Sequence, residues 1–304
     1  MIYVLKELLT YLRQLAFLRQ SSVRIFFESH QITVGSRHSL IKLQLQEPFR
    51  HQTLKLASKF FLSVKKNHVI DVGANIGDTA IIIKTGSLVN TFFTLVEPSP
   101  FFLYYLNQNA NVIGNCQVVG SFVSPNFPII ELSADLRYWG GTALLVKSKT
   151  KTISVSEQVS LHELEKHNTG LVKIDCDGPD FDILLNYLNY TKEFPAIYFE
   201  NDIKNENDLL KATEVLKLAC AKGYGLVSVS SCDGLLIWSG ELNIDSLKDI
   251  LQYQLNLAYL NASSRLAYTD VLLVQKSEFN KFIEFEKELR KLQENHFWSN
   301  KKLG

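Results

Sequence analysis

The stretch Val69-Ile70-Asp71-Val72-Gly73-Ala74-Asn75-Ile76-Gly77-Asp78 decides the fold. A short β-branched run, a glycine loop and then Thr79-Ala80-Ile81-Ile82-Ile83-Lys84 predict a strand, a tight turn and a helix. Gly73 and Gly77 carry no Cβ, so the backbone can turn sharply there and come close to a ligand. Twenty residues beyond Gly77, Glu97 closes a second apolar run, Phe92-Phe93-Thr94-Leu95-Val96. A carboxylate at the end of the next parallel strand can accept hydrogen bonds from both hydroxyls of a ribose. Together the two segments predict a cradle for the adenosine half of a cofactor.

The loop narrows the choice of cofactor. A dinucleotide site crowds a pyrophosphate against a helix N-terminus and favours Gly-x-Gly-x-x-Gly. This loop reads Asp71-x-Gly73-x-x-x-Gly77, with an added acid and only two glycines. That pattern suits a cofactor bearing an amine and a sulfonium, S-adenosylmethionine rather than NAD. On these residues the chain resembles class I methyltransferases, and the wording Asp71-Val-Gly-Ala-Asn-Ile-Gly-Asp78 is similar to the FkbM family in particular. The resemblance implies a cofactor site built from Asp71, Gly73, Ala74, Asn75, Gly77, Asp78 and Glu97. It also places adenine at the end of the strand Gln117-Val-Val-Gly120, beside Ser121 and the ring of Phe122.

A second motif carries the acids. Leu171-Val-Lys-Ile-Asp175-Cys-Asp177-Gly178-Pro-Asp180 reads as a buried strand that Gly178 and Pro179 stop, with Asp180 capping the next helix. Acids at the carboxyl end of a parallel strand stand at the binding edge of an open α/β sheet. FkbM-like sequences carry Lys-Ile-Asp-x-Glu-Gly-x-Glu here, and Asp177 and Asp180 replace both glutamates, each shortened by one methylene. Further likeness runs through Pro195-Ala-Ile-Tyr-Phe-Glu200, a strand ending in acid, and Tyr268-Thr-Asp270-Val-Leu-Leu-Val274, the last strand. Where the family has Leu-Asp-Glu-Leu, this chain has Leu161-His162-Glu163-Leu164, and His162 is expected to be an idle surface residue.

The expected fold is α/β: a Rossmann-like class I methyltransferase sheet, mostly parallel with an antiparallel final hairpin. Helices cover both faces, with an N-terminal helix and hairpin as an extension. We divide the chain into an extension over 1–50, a methyltransferase domain over 51–276, and a C-terminal helix and tail over 277–304. Residues 1–24 place Leu5, Leu8, Leu9, Leu12 and Leu15 on one helical face, interrupted by Lys6, Glu7, Arg13 and Gln14. Such a helix packs on the domain or on a second copy in a homodimer. The sharper alternative is peripheral contact with anionic lipid, and there is no run long enough to span a bilayer. Gln31–Val34 and Leu40–Leu45 alternate by twos around Gly35–His38, a hairpin signal. The loop Ala134 to Thr142, with Arg137, Trp139, Gly141 and Thr142, is the least regular and most aromatic, and is a candidate substrate surface.

Composition excludes other classes. The chain has 304 residues, 46% hydrophobic and 21% charged, with net charge +1. That is enough for one large domain with extensions, and offers no bulk attraction to nucleic acid. Cys116, Cys176, Cys220 and Cys232 form no Cys-x-x-Cys pair, which suits a reducing cytoplasm and argues against zinc or a disulfide framework. Cys176 lies between acids that oppose thiolate formation, and is read as a small core residue.

The resemblance implies O-methylation of a hydroxyl on a sugar, a glycan or a polyketide-like small molecule. Methyl transfer is an in-line displacement, so the protein must chiefly hold the acceptor oxygen near the methyl carbon. Asp175, Asp177 and Glu200 are the candidates to take the hydroxyl proton. Asp175 and Asp177 could instead hold Mg²⁺. The alternatives are a catalytically silent subunit that binds S-adenosylmethionine and, against the loop pattern, an NAD(P)-dependent oxidoreductase.

Overall fold

A computed structural model describes residues 19–41, 50–126, 128–139, 142–260 and 268–301. In chain order the strands are β1 (Ser22–Phe27), β2 (His30–Gly35), β3 (His68–Val72), β4 (Phe92–Val96), β5 (Cys116–Val119), β6 (Phe122–Val123), β7 (Ala134–Trp139), β8 (Thr142–Lys147), β9 (Gln158–Val159), β10 (Thr169–Ile174), β11 (Ala196–Asn201), β12 (Tyr224–Ser231), β13 (Leu236–Glu241) and β14 (Thr269–Gln275). The helices are α1 (Gln52–Phe61), α2 (Asp78–Gly86), α3 (Pro100–Ile113), α4 (Leu161–Leu164), α5 (Asp180–Tyr190), α6 (Glu206–Ala221), α7 (Ile244–Tyr259) and α8 (Phe279–Lys301).

The central sheet has eight strands in the order β13-β12-β14-β11-β10-β3-β4-β5. The five strands from β11 to the β5 edge, β11-β10-β3-β4-β5, are parallel, while β14 pairs antiparallel with both β11 and β12, and β13 antiparallel with β12. This is the mixed, Rossmann-like sheet expected from the sequence, with β14 inserted between β11 and β12.

Strand alternation sorts the core into two layers. Val69, Phe93, Leu95, Leu171, Leu272 and Val274 meet α1, α2, α3 and α8 on one face. Ile70, Val72, Val96, Val172, Ile174, Ile197, Phe199 and Leu273 meet α5, α6 and α7 on the other. Burial on both faces explains why these strands read as continuous apolar runs. Among the described residues no helix is long and apolar enough to cross a membrane.

Three expectations need correction. The described hairpin pairs β1 with β2; of the expected partner strand Leu40–Leu45, Leu40 and Ile41 are helical and the rest lies outside the described residues. Glu28 and Ser29 take the turn at φ 46° and 65°, joining Phe27 directly to His30. Two consecutive positive φ values match the right-handed twist of paired strands, and here non-glycine residues adopt them. Residues 42–49, in the expected second strand, lie outside the described residues, as do residues 1–18 of the expected N-terminal helix. The stretch from Ala134 is a regular antiparallel ribbon, β7 with β8, not an irregular loop. Gly141 lies outside the described residues, and so do the side chains of Arg137, Trp139 and Thr142. Third, Asp180 does not cap its helix. Pro179 is the capping position, and the Asp180 carboxylate turns back to accept from the backbone N–H groups of Cys176 (2.9 Å) and Gly178 (3.0 Å).

Candidate active site

The parallel part of the sheet reverses direction of travel between β3 and β10, because the chain runs outward through β4 and β5 and then returns to β10. Such a switch point opens a crevice at the carboxyl ends of the strands. Gly73 lies there, with φ 74°. A Cβ at Gly73 would fall on the backbone carbonyl oxygen of Asp175, so the two strand ends approach as only glycine permits. Gly77, at φ 88°, ends the loop as the residue before α2 and packs against Ile113 and Leu106. Asn75 takes φ 49° between them. Ala74 is buried beneath the loop.

Glu97 is held from two sides. Its carboxylate accepts from the backbone N–H of Asn75 (2.9 Å) and of Ser99 (2.8 Å), which fixes it at the end of β4. Burial pushes its pKa up to about 7, against the pull of those two hydrogen bonds.

One row of side chains crosses the sheet beneath the loop. The register sets Lys173 beside Asp71 on one side and Tyr198 on the other. Lys173 is 3% exposed, its ammonium 3.3 Å from Asp71 and 3.4 Å from Asp175. It also donates to the carbonyl oxygen of Gly73 at 3.3 Å. Burial opposes its charge, but Asp175 and Asp71 outweigh burial and hold it protonated above the ordinary lysine range. Asp71, which the sequence suggested for the cofactor, is fully buried against Lys173.

The next row, one pleat further, is acidic. Glu200 pairs with Asp270 across β11 and β14. Asp175, Asp177 and Glu200 each offer a carboxylate oxygen within 4.8 Å of the others. Burial and the charges of Asp175, Asp177 and Asp270 push Glu200 well above the usual carboxylate range. Burial, then Asp175, raises Asp270 to about 7, although Tyr198 donates a hydrogen bond to it. Cys176 is half-buried rather than enclosed: it packs on the core of the second face, and burial and Asp180 hold its thiol protonated.

These rows face a cleft of about 370 Å³. Its walls include Gly73, Asn75, Asp78 and Glu97 on the loop side, and Lys173, Asp175, Asp177, Glu200 and Asp270 on the acid side. His38, Ser39, Leu40, Arg50 and His51 close it from the N-terminal segment. A narrower apolar crevice, lined by Val72, Val96, Ser121, Phe122, Val123 and Ile183, shares Gly73, Pro98, Ala143 and Cys176 with the cleft. The two spaces therefore adjoin around the Gly73 turn. Ala143 is the part of the β7–β8 ribbon that reaches both. His162 stands apart, bonded to the Ser160 hydroxyl and stacked near Tyr190.

The sequence reading missed Lys173, Tyr198, Asp270, His38 and Arg50. For the first three the signal was present. Each is a polar residue on an otherwise apolar strand, in the phase that shares a face with Asp71 and Glu200. His38 and Arg50 carried no such signal, since they reach the cleft only through the packing of the extension.

No protein-family model and no curated protein sequence matches the chain. Solved structures similar to it include methyltransferases. TYW2 of M. jannaschii in complex with AdoMet is 12% identical with a TM-score of 0.43, covering 84% of this chain and 86% of that one. The plantazolicin methyltransferase BpumL in complex with SAH is 12% identical with a TM-score of 0.40, covering 78% and 89%. Precorrin-6y C5,15-methyltransferase from Geobacter metallireducens GS-15 is 13% identical with a TM-score of 0.38, covering 74% and 87%.

Proposed function

We propose that the chain is an S-adenosylmethionine-dependent O-methyltransferase of the FkbM kind, acting on a hydroxyl of a sugar, a glycan or a polyketide-like small molecule. The observation that carries this reading is one cleft that joins the Gly73 turn and Glu97 to the carboxylates of Asp175, Asp177 and Glu200.

The residues suit the cofactor in three ways. The apolar crevice beside Phe122 accepts a flat aromatic base. Glu97, fixed by two backbone donors, can accept from ribose hydroxyls. Seven carboxyl groups line the cleft against two full cations, Arg50 and Lys173; burial holds Glu97, Glu200 and Asp270 partly protonated, and the remaining acids still outnumber the cations, a balance that favours an amine and a sulfonium over a pyrophosphate. That balance also argues against the nicotinamide alternative.

When bound, the cofactor supplies a methyl group already activated on sulfur. The protein then has to hold the acceptor hydroxyl in line and take its proton. Burial and then its acidic neighbours raise the proton affinity of Glu200, so once ionised it can take the hydroxyl proton. Lys173, fixed between Asp71 and Asp175, sets the position of Asp175 at the cleft wall. The trio Asp175, Asp177 and Glu200 is also a hard oxygen donor set of the type Mg²⁺ takes.

Transfer of labelled methyl to a panel of hydroxylated glycans and small molecules tests the proposal. Wild-type protein is expected to label at least one acceptor, and Asp175→Asn to lose about 10²–10³ in rate. Loss of turnover in EDTA, restored by Mg²⁺, would assign the carboxylates to a metal rather than to proton transfer. Cofactor binding without transfer to any acceptor would favour the silent-subunit reading.

A further inference from the structure

The N-terminal extension is linked to the glycine loop at two adjacent residues, directly at Asn75 and through Asn109 of α3 at Ile76. Asn109 of α3 is 1% exposed and accepts from the backbone N–H of Thr33 at 2.8 Å. Its amide donates to the carbonyl oxygens of Thr33 (3.0 Å) and Ile76 (2.8 Å). The edge of β2 and the loop thus share one side chain.

The second link is His38, which is 6% exposed. The backbone N–H of Leu40 donates to its Nδ1 at 3.2 Å, so that nitrogen is the unprotonated one. In the neutral ring the proton is then on Nε2, which donates to Oδ1 of Asn75 at 3.1 Å. The edge of the ring packs on Phe102, with centroids 6.0 Å apart and planes at 88°. Burial, which outweighs the carboxylate of Asp78, keeps the ring neutral by lowering its pKa. The ring therefore has one orientation and one tautomer, and both its nitrogens are committed. Ser39 and Leu40, the next residues, line the cleft.

We propose that His38 is a positioning residue of the cofactor loop: by donating to Asn75 beside the Asn109 staple, it holds residues 75 and 76 in the shape that receives the cofactor, and makes the N-terminal hairpin part of that site. The proposal rests on the functional reading above for the identity of the ligand, but not for the latch itself. Asn75 sits at φ 49°, an unfavourable backbone for a residue with a Cβ, and a fixed side chain helps retain it.

Two readouts on the full chain test it. Hydrogen exchange in the ligand-free protein reports the loop, and calorimetric titration with S-adenosylhomocysteine reports the site. His38→Ala is expected to speed exchange of the amides of residues 73–77 about tenfold, with β10 unchanged, and to weaken binding about tenfold, the effect of one hydrogen bond to a buried group. His38→Gln presents an amide N–H where Nε2 stood, and is expected to restore both readouts to within about threefold of wild type. If His38→Ala fails to fold, His38→Leu fills the space without a donor and gives the same exchange readout. Unchanged exchange over 73–77 in the variant that is used, or glutamine no better than that variant, overturns the latch. Absence of binding by the wild type, with the exchange result as expected, would overturn the cofactor reading and leave the latch standing.

Discussion

Gly73 shows at the scale of one residue how the backbone makes the site. Any side chain there meets the Asp175 carbonyl, and its φ of 74° already disfavours one. Gly73→Ala is expected to cost about 2–4 kcal/mol in denaturant unfolding and to abolish cofactor binding. Asp270 gives a pH dependence. Its pKa rises from 3.8 to about 7 on folding, chiefly by burial, so folding favours the neutral acid. Its contribution to stability is complete below about pH 4 and is lost as pH rises through about 7. Asp270→Asn keeps an acceptor for the Tyr198 hydroxyl and removes the charge. The variant is expected to lose less stability than wild type between pH 5 and 8, by about 1–3 kcal/mol, in urea titrations across that range. An equal pH slope in both proteins would contradict the assignment. Residue identity at the loop was legible because Gly73, Gly77 and Glu97 obey short-range rules. Lys173 needed the register of three strands before its two acidic neighbours could be named.

Among elements, the parallel strands were the most legible, since each is a short β-branched run ended by glycine, proline or acid. The helix Ile244–Tyr259 went unread, although Asn243 caps it and Leu247, Leu251 and Leu255 recur every four residues on its buried side. The β1–β2 hairpin went unread because its turn uses Glu28 and Ser29, while the more obvious turn former, Gly35, ends β2. Neither residue type advertises positive φ, so pattern alone passes over that turn. The C-terminal helix α8 was expected from its amphipathic spacing, but its partner was not. Phe285 is fully buried and packs against Phe61, Phe60 and Phe282 with centroids 5.8, 6.4 and 5.8 Å away. Lys59 and Glu288 pair at 2.6 Å beside them. Phe285→Ala is expected to cost about 3–5 kcal/mol by thermal or urea unfolding, with cofactor affinity per folded molecule unchanged. A change in affinity at constant stability would mean that α8 shapes the cleft as well as the core.

At the scale of the molecule, the sheet puts chemistry on one face at one end. Asp71, Lys173, Tyr198, Glu200 and Asp270 share the phase that faces α1, and the acids among them stand where the strands end. The apolar crevice with Val72 and Val96 lies on the opposite phase, so a ligand must wrap the Gly73 turn to occupy both spaces. This layout follows from strand order and could be anticipated from the sequence only as far as the strands could be ordered. The wall made by His38, Arg50 and His51 depends on how the extension folds back, which no local pattern encodes. Under the proposed function, this cleft receives S-adenosylmethionine with Glu97 at its ribose. Isothermal titration of the full chain with S-adenosylmethionine, with Glu97→Ala as control, tests it most directly. Binding on the order of micromolar is expected for the wild type, with a loss of at least about a hundredfold in the variant. No binding by wild type, or equal binding by both proteins, would contradict it.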